Sequence, residues 1–206
     1  AHWRARTLGG RGVRRSLAVF AGAFALQRAV LLLAARPELA ASQPAIATWS
    51  ALFGMMAWGA LVRLLACEAR RRDLVVRGVL AGLAVLAVSG SVQLAVALTA
   101  LGLFAFRWRR YFSTRQLFWT GIGFLALFVL ALRAPGLGES NLAGWPAAAA
   151  GFGRWSDTVT GFYAGVGALA LFRSFIRDPS LGIRTVGRRL ALSHVLVVLV
   201  PLLLLG

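Results

Sequence analysis

Apolar stretches of about 20 residues recur along this chain, and most end at a cluster of arginines or at a proline. A helix needs about 20 apolar residues to cross a hydrocarbon core of roughly 30 Å. Five stretches meet or approach that length. Residues 16–35 are closed by Arg36 and Pro37; residues 45–67 enter past Trp49 and leave into Glu68 and Arg70 to Arg72. Residues 117–132 end at Arg133 and Pro135, residues 158–176 at Arg177 and Pro179, and the fifth stretch is 191–206.

The interval 74–106 is ambiguous, because as a single helix its 33 residues would extend about 50 Å, far beyond one crossing. Ser89-Gly90-Ser91 interrupts it near the middle. A break there gives two short spans whose flanking arginines, Arg70 to Arg77 and Arg107 to Arg110, share one side. The pattern predicts an all-α integral membrane protein, a polytopic bundle of about seven transmembrane segments, or six if 74–106 is not a full hairpin. Its parts are a basic segment 1–15, a six-span bundle 16–176 with an outer loop 134–157, a basic linker 177–190 and a seventh span 191–206. That last span stops in mid-membrane, so a natural chain running past Gly206 is expected.

Charge orients this bundle. All 23 basic residues are arginine. With seven segments, the groups Arg4 to Arg15, Arg63 to Arg77, Arg107 to Arg115 and Arg173 to Arg189 fall on one side. Only Arg36, Arg133 and Arg154 fall on the other, and Arg28 lies within the first span. By the positive-inside rule the N-terminus is cytoplasmic and the protein sits in a bacterial inner membrane. A net charge of +17 would otherwise suggest nucleic-acid binding. Such proteins lay their cations along a wet face that tracks phosphates, whereas here they sit between apolar runs. With 59% hydrophobic and 14% charged residues, against about 25% charged in a soluble domain, the expected partners are the bilayer and other membrane subunits.

A basic start before an apolar run imitates a secretory signal, but a run of about 20 residues containing Gln27 and Arg28 reads as a retained span. The single cysteine, Cys67, leaves no disulfide framework and no thiolate metal cage, and reads as a small buried hydrophobe.

Intramembrane polar groups are few. Arg28 is the first to consider, with Gln27 beside it and Gln93 in the later hairpin, because a cation within a span is costly and faces a partner or a wet cavity. Arg28 can snorkel outward, pair with Glu38 or Asp157, or meet a lipid or subunit group; snorkelling or structural pairing is the simpler expectation. Ser89-Gly90-Ser91, Gln93 and His194 together suggest a Ser–His dyad. Rhomboid proteases resemble this in placing a serine at a glycine-flanked helix start, yet their longer motifs are missing, and a turn explains the triplet with less. His194 and His2 are the only histidines, so no bis-His haem site is expected. Glu38, Glu68, Asp73, Glu139, Asp157 and Asp178 all fall in loops or at ends, which disfavours a proton relay. No cofactor or metal is expected, bound lipids are, and an enzyme is not.

Small-residue spacing points to helix packing: Gly78 with Gly82, Gly161 with Gly165, and Gly121 with Gly123. Phe118, Phe124 and Phe128 form faces for lipid or partner helices. Trp49, Trp108, Tyr111, Trp119 and Trp155 read as interfacial anchors. The loop 134–157, with Trp145, reads equally as an interface-hugging segment or a Gly/Pro linker. No internal repeat supports a transporter.

The final residues, RRLALSHVLVVLVPLLLLG, resemble the basic lead and first span that open the sensor portion of bacterial membrane signalling proteins, among them sensor histidine kinases and PP2C-type serine phosphatases. The resemblance covers about a tenth of the chain and implies that the first six spans form a membrane input domain, with any catalytic domain beyond Gly206. Two functions follow. The leading expectation is a non-catalytic accessory or scaffold subunit of a respiratory or photosynthetic complex; the alternative is a sensory input domain, with an intramembrane enzyme a distant third. A partner covering the apolar faces separates the first from the second, which needs a polar cavity around Arg28.

Overall fold

The computed structural model describes residues 2–34, 43–69, 73–89, 91–133 and 147–177. Six α-helices and no strand occur among them: α1 (His2–Ala34), α2 (Gln43–Ala69), α3 (Leu74–Ser89), α4 (Val92–Ala105), α5 (Thr114–Arg133) and α6 (Ala147–Ile176). Four contain stretches long and apolar enough to cross a membrane: Gly10–Leu33, Ala45–Ala69, Thr114–Arg133 and Thr158–Ile176. This architecture is compatible with a helical membrane protein. The short helices α3 and α4 have 16 and 14 residues, lengths of about 24 and 21 Å at 1.5 Å per residue. The expected seven crossings thus become four long helices and one short pair among the described residues. The stretch 191–206, the linker beyond Arg177 and His194 lie outside them.

Two helices begin earlier than the apolar pattern alone predicts. In α1 the basic lead is continuous with the span, since arginine is a good helix former and neither proline nor a polar turn interrupts it. In α6 the four alanines from Ala147 start the helix well before residue 158. The second half of the expected outer loop is therefore helical.

The core is built from stripes at helical spacing. On α1 the buried positions include Val13, Leu17, Phe20, Phe24, Gln27 and Leu31; on α2 they include Ala57, Leu61, Leu64 and Glu68. Each series steps by three or four residues, the period of one helix face. These stripes pack α1 on α2 and α2 on α6, and α5 lies against α6. Phe124 of α5 is buried and stacks on Phe20 with ring centroids 5.3 Å apart, so it turns inward instead of forming an outer face. Phe128 likewise packs on Gly165, while Phe118 remains partly exposed.

The interval 74–106 folds back between the end of α3 at Ser89 and the start of α4 at Val92. A Cβ on Gly82 would meet Leu98 at 2.9 Å, and one on Gly102 would meet Val79 at 3.2 Å. Both pairings are centred on residue 90, so α3 and α4 run antiparallel. At their shared base Arg107 Nε lies 3.1 Å from Asp73 Oδ2. Asp73 also caps α3, its Oδ1 accepting from Val76 N at 3.4 Å.

Two aromatic expectations need correction, and the glycines fall into two groups. Gly161 and Gly165 do form a seam, facing Ala131 and Phe128 of α5, and Gly121 faces Phe172. Gly78 and Gly123, however, have no packing neighbour among the described residues. Trp49 and Trp119 are exposed as anchors should be, and Trp155 is half-buried. Trp108 and Tyr111 are not anchors: both are buried. The Trp108 indole donates to Leu103 O at 3.0 Å, satisfying a carbonyl at the end of α4, and its ring packs on Phe106 at 4.6 Å.

Candidate functional site

Where α1, α2 and α6 meet, in the half of the bundle remote from the arginine-rich end, five polar side chains are buried together: Gln27, Arg28, Ser50, Ser156 and Thr160. Gln27 Nε2 donates to Ser50 O at 3.2 Å and to Ser156 Oγ at 3.4 Å. Its Oε1 accepts from Thr160 Oγ1 at 2.8 Å. The Thr160 proton can instead reach Ser156 O at 3.1 Å, while its oxygen accepts from an Arg28 terminal nitrogen at 3.4 Å. The guanidinium also lies 5.1 Å from the Phe24 ring centroid, a cation–π distance.

Local sequence explains the assembly. Gln27 falls on the buried stripe of α1, and Ser156 and Thr160, four apart, share a face of α6. Gly54 supplies the room, because a Cβ there would come within 1.6 Å of Ser156 Oγ and 3.1 Å of Gln27 Nε2. α2 can approach α6 only where a side chain is missing.

Arg28 is therefore buried, not snorkelling to the surface. Glu38 and the Asp157 side chain, its other expected partners, lie outside the described residues. Gln93 does not join the cluster; it is exposed in the first turn of α4. Ser50, Gly54, Ser156 and Thr160 carry no motif, and their only signal is a register shared with Gln27. Hydroxyls beside a guanidinium lack the base that activates a serine nucleophile, and the cluster's described members include no histidine or carboxylate. Among the described residues no group of three or more histidines, cysteines or carboxylates could hold a metal ion. What the cluster does is join three helices through directional bonds in a low-dielectric interior.

A second polar centre lies at the opposite, arginine-rich end. Glu68 is buried at the end of α2 and is held by Arg110 at 3.1 Å and by the Tyr111 hydroxyl, which donates to Glu68 Oε2. Arg77 Nε donates to Ala69 O at 2.9 Å. α5 starts nearby with a capping box, Gln116 N donating to Ser113 Oγ at 3.4 Å and Ser113 N to Gln116 Oε1 at 3.1 Å. Cavities of about 780, 450 and 370 Å³ open around this end, all sharing Phe112, and none is lined by the Arg28 cluster.

Compared with known proteins, the chain matches no family model, no curated protein and no solved structure.

Proposed function

We propose that this chain is a non-catalytic accessory or scaffold subunit that packs against other helices in a larger complex of the bacterial inner membrane, respiratory or photosynthetic, with its arginine-rich end and N-terminus in the cytoplasm. The observation that carries this reading is α5. Only 17% of its spanning window is buried, against 61% for α6. Trp119, Ile122, Leu130 and Leu132 stand exposed along it. Between α5 and α1 a groove of about 450 Å³, lined by Leu17, Ala18, Ala21, Gly123 and Leu127 among others, leaves room for an apolar occupant such as a partner helix. The packed state of the Arg28 cluster supports the scaffold over the sensory reading, since a receptor needs open volume with converging polar groups.

Extraction in mild detergent, size separation and mass spectrometry of the co-migrating chains test this. Stoichiometric co-migration with a defined complex, lost on Gly123→Leu while the isolated chain keeps its thermal midpoint, is the expected result. Migration alone, as a longer chain carrying a kinase or phosphatase domain, would overturn it in favour of the sensory alternative.

A further inference from the structure

We propose that the cavity of about 780 Å³ at the arginine-rich end binds the phosphate headgroup of an anionic phospholipid. Five arginines line it, Arg107, Arg109, Arg110, Arg173 and Arg177, and no carboxylate-bearing residue does so among the described residues. The two nearby carboxylates are already engaged behind its wall. Glu68 holds Arg110 and Tyr111, and Asp73 holds Arg107 and the first turn of α3. Arg173, on the last turn of α6, and Arg177, just past its end, have no carboxylate partner among the described residues. Among the described residues the arginines here outnumber the carboxylates; such a cluster of cations attracts an anion, and guanidinium groups fit phosphate oxygens two at a time.

The site is also built. Arg109 donates to Arg177 O at 3.2 Å, which ties the short 3-10 turn Trp108–Arg110 to the end of α6. The Arg173 guanidinium is steered by the Phe104 ring, 5.9 Å from its centroid. On the α5 side, Ser113 Oγ accepts from Gln116 N. Ser113 itself lines the cavity.

Depth and apolar lining favour a lipid over a soluble phosphate. The cavity is walled by residues at the start of the α5 span and the end of the α6 span, the level at which headgroups lie. Phe104, Phe106 and Phe112 give it an apolar side suited to a glycerol backbone and acyl chain. Basic pockets between spans bind anionic headgroups in this way.

The test uses the full chain in nanodiscs of phosphatidylcholine, with or without phosphatidylglycerol, and native mass spectrometry of the retained lipid. Selective retention of phosphatidylglycerol is expected, falling about tenfold or more in the Arg173→Gln/Arg177→Gln double variant. The charge-matched control Arg11→Gln/Arg63→Gln, at exposed positions outside the cavity, should retain it. Equal losses in the two double variants would overturn the site as a mere surface-charge effect. Displacement of the lipid by millimolar inorganic phosphate would overturn the lipid as its source. Should the double variant misfold, a photoactivatable phosphatidylglycerol on the unaltered chain decides. Crosslinks confined to residues 104–114 and 173–177, absent with the phosphatidylcholine analogue, support the proposal, and crosslinks spread over the apolar surface refute it.

Discussion

Thr160 joins two helices with a single hydroxyl, giving to Gln27 and receiving from Arg28. Interhelical hydrogen bonds in membranes average about 0.6 kcal/mol and reach about 1.7. Thr160→Val, which keeps the shape and removes the hydroxyl, should therefore lower stability by roughly 1 kcal/mol, measured as a shift in SDS or thermal unfolding midpoint in detergent. The Glu68 pair is a harsher case. Arg110→Met leaves a fully buried carboxylate with only the Tyr111 hydroxyl, a loss of about 2–3 kcal/mol after allowing for the 34% exposure of Arg110. Changing both residues, as Glu68→Leu/Arg110→Met, should cost less than Arg110→Met alone; an additive double-mutant cycle would contradict this account of the pair. Both centres were half legible in the sequence. Counting along the apolar stripes places Gln27 of α1 and Glu68 of α2 on buried faces. Their partners Ser50, Ser156 and Tyr111 depend on how three helices are set side by side, which no local pattern specifies.

Between α5 and α6 the tightest glycine contact is at Gly167, where a Cβ would meet Phe124 Cδ1 at 2.3 Å, and Phe124 is itself pinned by stacking on Phe20. Gly167→Ala should therefore destabilise the bundle by about 1–3 kcal/mol through overpacking. Gly78→Ala and Gly123→Ala, which meet nothing, should be neutral or slightly stabilising through helix propensity. Unfolding midpoints of the three single variants check the contrast. GxxxG spacing alone ranks Gly78 with Gly161 and overlooks Gly167 altogether. The spacing reports where backbones can approach, and only the helix arrangement says where they do. Element existence was more readable than element limits. The Ser89-Gly90-Ser91 break was visible, whereas α6 begins in an alanine run that looks like loop when hydropathy is the only guide.

Across the whole molecule, described arginines gather at one end: Arg14, Arg77, the residues of the 3-10 turn, Arg115 and Arg173 all lie there, and Arg133 closes α5 at the other. In a Cys67→Ala background, a membrane-impermeant maleimide should label Ser113→Cys from one side and Trp49→Cys from the opposite side. Ser91→Cys, at the tip of a hairpin of about 24 Å in a core of roughly 30 Å, should be labelled from neither. Labelling of Ser91→Cys from the Trp49 side would show that α3 and α4 cross fully.

That hairpin also bears on how such a chain is assembled and diversified. Glu68, at its entry, touches Arg110 and Tyr111 just past its exit, and Asp73 holds Arg107 across its mouth. The segment between is a hairpin that begins and ends at one end of the bundle, with α3 packed on α2 and α4 on α6. Its two ends therefore lie on the same side. An ancestor could therefore gain or lose these two helices as a cassette without inverting anything downstream, a freedom that no single crossing offers.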